Sequence, residues 1–73
     1  MAQEIVEVPI TGKVVSVEVK EGDAVEEGEV ICYIESMKME NPILAPVAGK
    51  ITEIQISAGQ VVETGALIAI IEY

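Results

Sequence analysis

The sequence predicts an all-β chain built from two similar halves, packed as a small sandwich or flattened barrel with pseudo-twofold symmetry. Three observations point there. Val and Ile are abundant and fall in short stretches that alternate with polar residues, as strands require. No segment carries an apolar stripe at helical spacing over three turns. The segment Val8 to Glu35 aligns without gaps on Ala45 to Glu72, an offset of 37 residues. Identities fall at Pro9/Pro46, Gly12/Gly49, Lys13/Lys50, Gly22/Gly59, Val25/Val62, Glu26/Glu63, Gly28/Gly65, Ile31/Ile68, Ile34/Ile71 and Glu35/Glu72. Most other pairs are conservative, so each half is one copy of a unit that cannot bury its apolar face alone and must pack on the other.

Taken in order, each half opens with Pro-x-x-Gly, Pro9 to Gly12 and Pro46 to Gly49. A strand follows. Val15, Val17 and Val19 alternate with Ser16, Glu18 and Lys20 in the first half, and Ile54 and Ile56 with Glu53, Gln55 and Ser57 in the second. Gly22 and Gly28 then bracket a short segment, Asp23 to Glu27, as Gly59 and Gly65 bracket Gln60 to Thr64. These glycines read as turns that need positive φ. The other role for them, a phosphate cradle, is set aside because no Gly-rich run precedes a helix. A longer strand around Val30 to Ile34, matched by Ala66 to Ile71, closes each half.

Composition narrows the function. The 73 residues allow one small domain, 1–73, with a limited core. There is no His, which removes the imidazole base and the imidazole metal ligand, and one Cys makes neither an internal disulfide nor a zinc site. The longest apolar run, Ala66 to Ile71, is far too short to span a bilayer, and no signal peptide is visible at the N-terminus. Four basic against thirteen acidic residues give a net charge of −9, which argues against nucleic acid and anionic membrane. A cytoplasmic, protein-binding domain is the expectation. The repeat also sorts the charged residues. Lys13 with Lys50, and Glu26 with Glu63, occur in both copies and so read as structural or surface groups. Lys20 reads as a solvated charge beside a turn. Cys32 aligns with Ala69 and reads as packing, not redox chemistry. Tyr33 and Tyr73 have no special context.

Residues Ser36 to Leu44 belong to neither copy in this alignment. Apolar positions on both sides, Val30 to Ile34 and then Ile43, Leu44 and Val47, suggest a hairpin with Lys38 near its tip. The tip is expected near the twofold axis, with the chain termini meeting at the opposite end. Tight hairpins favour Asn-Gly or Asp-Gly, and Met37-Lys38 is neither, so an unfavourable turn sits at the one unrepeated place. Lys38 can be a plain solvated lysine, and Met37 and Met39 can be partial core packing. Two adaptable thioethers framing an exposed lysine also make a recognition surface.

Glu35-Ser36-Met37-Lys38-Met39-Glu40-Asn41 resembles the attachment motif of biotinyl domains, in which methionines frame a central lysine, usually as Ala-Met-Lys-Met. Ser36 stands where Ala is usual, a change between small residues. The resemblance covers nearly the whole chain: the half-to-half repeat, the Pro-x-x-Gly openings and the paired glycine turns. It implies two four-stranded antiparallel sheets in a flattened barrel, the biotinyl/lipoyl barrel-sandwich fold, with the lysine on an exposed hairpin. It also implies covalent biotin on Lys38, with Met37 and Met39 as recognition residues for a biotin protein ligase that uses ATP. The further partners implied are biotin carboxylase and carboxyltransferase subunits or domains. Carriers from acetyl-CoA carboxylase have a protruding segment in the first half. The gapless repeat leaves no room for one here, so the chain looks closer to carriers of other carboxylases, decarboxylases and transcarboxylases. No Ala/Pro-rich linker precedes the domain, which fits a free-standing carrier or an excised C-terminal domain.

No catalytic base, nucleophile or metal site is expected on the chain itself, and the hard chemistry would belong to the cofactor. Two alternatives remain. Lipoyl carriers share the fold, the repeat and the hairpin lysine, but usually show Asp-Lys-Ala there. An unmodified β interaction module would leave the Met-Lys-Met tip unexplained.

Overall fold

The computed structural model describes all 73 residues. It contains eight strands and no helix, in the order β1 (Gln3–Glu7), β2 (Gly12–Val17), β3 (Ala24–Val25), β4 (Val30–Ser36), β5 (Met39–Leu44), β6 (Gly49–Ile54), β7 (Val61–Val62) and β8 (Leu67–Glu72). Antiparallel pairing builds two four-stranded sheets, β1-β8-β6-β3 and β5-β4-β2-β7. Each sheet takes two strands from each half of the chain, so neither half forms a sheet by itself. No helix is long and apolar enough to cross a membrane.

The core follows the repeat residue by residue. The buried side chains are Val6, Val8, Val14, Val19, Val25, Ile31, Cys32 and Ile34 from the first half. Their partners 37 positions later, Ile43, Ala45, Ile51, Ile56, Val62, Ile68, Ala69 and Ile71, complete the set. No polar or charged residue is buried with them. The two inner faces meet as one apolar layer.

The glycine turns tie the halves together. Gly22, Gly28, Gly59 and Gly65 have φ of 95, 87, 90 and 92°, a region closed to most L residues. Gly22 N–H donates to the Ile51 carbonyl at 2.8 Å, and Gly59 N–H to the Val14 carbonyl at 2.7 Å. Each turn is thereby bonded to the other half.

Three sequence expectations need correction. The alternation starting at Val15 does not hold there: Val14 is buried and Val15 is 41% exposed. A bulge between Val14 and Ser16 shifts the β2–β4 register, and its counterpart lies between Ile51 and Glu53 in β6–β8. The extra residue turns the side-chain phase over, so Val17 and Val19 face inward and Val15 outward. Second, the repeat reaches further than the alignment. Residues 40–44 are the counterpart of residues 3–7, with the same burial pattern and with Val6 and Ile43 as the matched buried pair. The Ser36↔Met39 pair matches the bonds between Tyr73 and Ala2, at 2.8 and 2.9 Å.

The third correction concerns the axis, which exchanges residue n with n + 37. The hairpin tip is exchanged with the paired chain ends and so cannot lie on the axis. β2 begins beside the tip, where Lys13 pairs with Glu35, and the chain then runs away from it. By Gly22 it has reached Ile51, whose neighbour in the sheet is Ile71, close to the chain ends. Tip and chain ends therefore stand at opposite ends of a molecule 37 Å long and 16 to 18 Å thick.

Candidate functional site: the lysine hairpin

β4 and β5 pair from Val30↔Leu44 to Ser36↔Met39, which leaves Met37 and Lys38 as a two-residue tip. Their φ angles are 55 and 65°, both positive, the signature of a type I′ turn. That turn matches the twist of the strands it joins but suits Asn-Gly, not Met-Lys. The sequence chemistry thus predicts the hairpin and not its conformation.

All three residues of the motif face water. Met37 is 87% and Met39 66% exposed, and Lys38 is exposed between them. The methionines do not pack in the core. The hairpin is stiffened from below by Asn41, whose side-chain amide donates to the Ile34 carbonyl at 3.2 Å and the Met39 carbonyl at 3.3 Å. Sequence reasoning assigns Asn41 no role. The available signal is that Asn lies three residues beyond the lysine, at a strand position that disfavours Asn.

One step below the tip, Lys13, Glu35 and Glu40 lie side by side across β2, β4 and β5. They line an open depression of about 320 Å³ with Val14, Val15 and Gly59. Lys13 is therefore near the hairpin, where the repeat alone did not place it. The remaining sequence candidates lie elsewhere. Lys50 pairs with Glu72 at the far end. Lys20 closes a turn in which its N–H donates to Asp23 Oδ2 at 3.0 Å, and Glu26 N–H donates to Glu29 Oε1 at 3.0 Å. Cys32 is fully buried, and desolvation raises its thiol from 9.0 to about 11, so it is an inert core group. No cluster of His, Cys, Asp and Glu is placed to hold a metal ion.

A two-sheet flattened barrel with a lysine at the tip of a two-residue hairpin is the architecture of the biotinyl and lipoyl domains. The chain belongs to that family, described as biotin-requiring enzyme, and matches it over residues 4–71. It is 60% identical over 37 residues to the mitochondrial propionyl-CoA carboxylase alpha chain of Homo sapiens, a match covering 51% of this chain and 5% of that one. It is 48% identical over 42 residues to the biotinylated protein TB7.3 of Mycobacterium bovis, covering 58% of this chain and 59% of that one. Among solved structures, the urea carboxylase of Kluyveromyces lactis superposes with a TM-score of 0.90 at 33% identity, covering 99% of this chain and 6% of that one. The chain thus spans a small part of the carboxylases it resembles.

Proposed function

We propose that residues 1–73 act as one biotin carrier domain, with biotin joined by an amide bond to Lys38 Nζ and Met37 and Met39 recognised by the ligase that makes the bond. One observation supports this above the others: an exposed lysine framed by two exposed methionines forms the tip of a hairpin in a member of the biotin-requiring family.

The chain's residues fit that cofactor as a handle fits its load. Lys38 stands clear of the barrel, so an acyl group on Nζ meets no side chain it must displace. The bonds from Asn41 and the close-packed sheets keep the tip rigid. An amide forms from a neutral amine, so the bond to Nζ requires a group that takes up the amine's proton. No His is available to take the proton. A separate biotin protein ligase, consuming ATP, must therefore supply the activated acyl group and accept the proton. Once attached, biotin supplies the chemistry of accepting and donating a carboxyl group. The barrel keeps it at high effective concentration near two active sites without release.

In this reading the chain is a non-catalytic subunit or domain. Its partners beyond the ligase are the biotin carboxylase and the carboxyltransferase of a carboxylase, decarboxylase or transcarboxylase. The lone free thiol of Cys32 suits a reducing compartment and supports a cytoplasmic setting.

The test is intact mass after incubation with biotin protein ligase, biotin and ATP. The expected result is a gain of one biotinyl group, lost in Lys38→Arg with the fold retained. No gain in the folded parent refutes the proposal, and a gain with lipoate ligase alone would assign the lipoyl role instead.

A further inference from the structure

We propose that Met37 and Met39 are sites of reversible oxidation by hydrogen peroxide, and that their sulfoxides withhold Lys38 from the ligase, an inference that rests on the biotin reading of this hairpin.

The chain offers peroxide few targets. It has no Trp and no His, one Cys and three Met. A thiol is the usual first target, but it reacts as an accessible thiolate. Cys32 is 0% exposed, and desolvation raises its thiol to about 11, so it is both out of reach and held neutral. The methionines are the opposite case. Met1, Met37 and Met39 are 100, 87 and 66% exposed, and none belongs to the core. One of these sulfurs hangs from the chain end at the far side of the barrel. The other two stand at the hairpin, before and after Lys38.

The chemistry is an oxygen transfer. A lone pair on the thioether sulfur attacks one oxygen of the peroxide, so an S–O bond forms and the O–O bond breaks. The departing hydroxide takes up the proton left on the transferred oxygen and leaves as water. Sulfur is oxidised by two electrons and the peroxide is reduced. A methionine sulfoxide reductase reverses the step with a dithiol, which becomes a disulfide while the oxygen leaves as water. The forward step needs no residue of the barrel, so exposure decides which sulfurs react.

Placement then decides what oxidation does. A sulfoxide usually does harm by forcing a polar group into a core. Here no methionine is in the core, and the hairpin is held by strand pairing and by the bonds from Asn41 to the Ile34 and Met39 carbonyls. None of these involves a sulfur, so the fold is spared. What changes is the surface beside Lys38. Each apolar, adaptable thioether becomes a polar, chiral sulfoxide. A ligase that closes on the tip through apolar contacts must then desolvate two new acceptors without pairing them. The carrier stays folded and unmodified until the sulfoxides are reduced.

The test uses the full chain before any biotin is attached. It is treated with hydrogen peroxide and then freed of it. Intact and peptide masses are expected to place oxygen on Met1, Met37 and Met39 and none on Cys32. The far-UV circular dichroism melt is expected to keep the untreated Tm. Initial rates with biotin protein ligase, biotin and ATP are expected to show kcat/KM lowered about tenfold, chiefly through KM. Methionine sulfoxide reductases A and B with dithiothreitol, one enzyme for each sulfoxide epimer, are expected to restore it. Met37→Leu and Met39→Leu each remove one sulfur. Whatever rate each variant starts from, its loss on treatment is expected to be smaller than the parent's, and the double variant is expected to lose nothing. Carrier with oxygen on both tip methionines that is biotinylated at the untreated rate would overturn the proposal. So would oxidation of Cys32 ahead of the methionines, a loss of rate that comes with a lower Tm, or a loss that the reductases do not reverse. A parent that takes no biotin before treatment would instead remove the Lys38 assignment, and that is read first.

Discussion

Replacing Met37-Lys38 with Asn-Gly is expected to stabilise the fold by about 2 kcal/mol. Both native residues hold positive φ, 55 and 65°. Holding an ordinary L residue there costs about 1–2 kcal/mol, so two of them cost roughly 2–4 kcal/mol. Asn tolerates this conformation and Gly adopts it freely. Gly also loosens the unfolded chain, which offsets about 1 kcal/mol of the gain. Nothing else should change. Met37 is 87% exposed, Lys38 is exposed, and the Asn41 bonds go to the backbone carbonyls of Ile34 and Met39, which the replacement keeps. In a domain of this size each kcal/mol moves Tm by about 4–8 °C, so the melt should rise by roughly 8–16 °C. Urea denaturation and thermal melting followed by far-UV circular dichroism would measure the change, with Met37→Asn and Lys38→Gly as the separate steps. A double variant no more stable than the parent would refute the premise that the native tip is strained. The expected gain is what the chain forgoes to keep Met and Lys at this position.

Other consequences follow from the same geometry. A Cβ on Gly12 would lie 2.8 Å from Ile34 Cγ2 and closer still to the Glu35 carbonyl oxygen, and one on Gly49 would lie 2.7 Å from Ile71 Cγ2. Gly12→Ala and Gly49→Ala should each cost about 1–3 kcal/mol in urea, by similar amounts. A neutral effect of either would show that the sheets can shift apart. Cys32→Ala should cost about 1 kcal/mol or less, because Ala69 already fills the corresponding buried position. The buried thiol has its pKa raised from 9.0 to about 11, so its neutral form is favoured in the fold. Its contribution to stability is full below pH 9.0, where the unfolded thiol is also neutral, and is lost as pH rises towards about 11. The loss should approach about 3 kcal/mol and be absent in Cys32→Ala. A parent and variant with the same stability–pH curve above pH 9.0 would contradict this burial.

The fold was legible because the repeat is written in its buried residues. From Val8 onward, conservative pairs such as Val14/Ile51 and Val19/Ile56 keep volume and hydropathy, and packing enforces both. The repeat did not show through in β1 and β5 because only Val6 and Ile43 in them are buried. The pairs Gln3/Glu40, Ile5/Pro42 and Glu7/Leu44 are held to no common chemistry. Pro42 is tolerated because β5 is an edge strand. The bulge in β2 left no local trace, since Val14 and Val15 are both Val and only the register tells which of them faces inward. At the site, Lys38 with its two methionines was legible as a motif. Asn41 was not. Its amide acts through backbone carbonyls that no sequence pattern marks.

The bonds between Ala2 and Tyr73 have a consequence of their own. The far end of the barrel is already an open hairpin, equivalent to the one that carries Lys38, with Met1 in the position that corresponds to Lys38 and one residue short of a closed two-residue tip. Replacing Met1 with a Met-Lys dipeptide that joins Tyr73 to Ala2 would yield a circular chain with a lysine tip at each end of the long dimension. New termini could then be opened at a glycine turn on either side. The same geometry describes two separate half-length chains that pair as a symmetric dimer, from which the present molecule would arise by a single fusion.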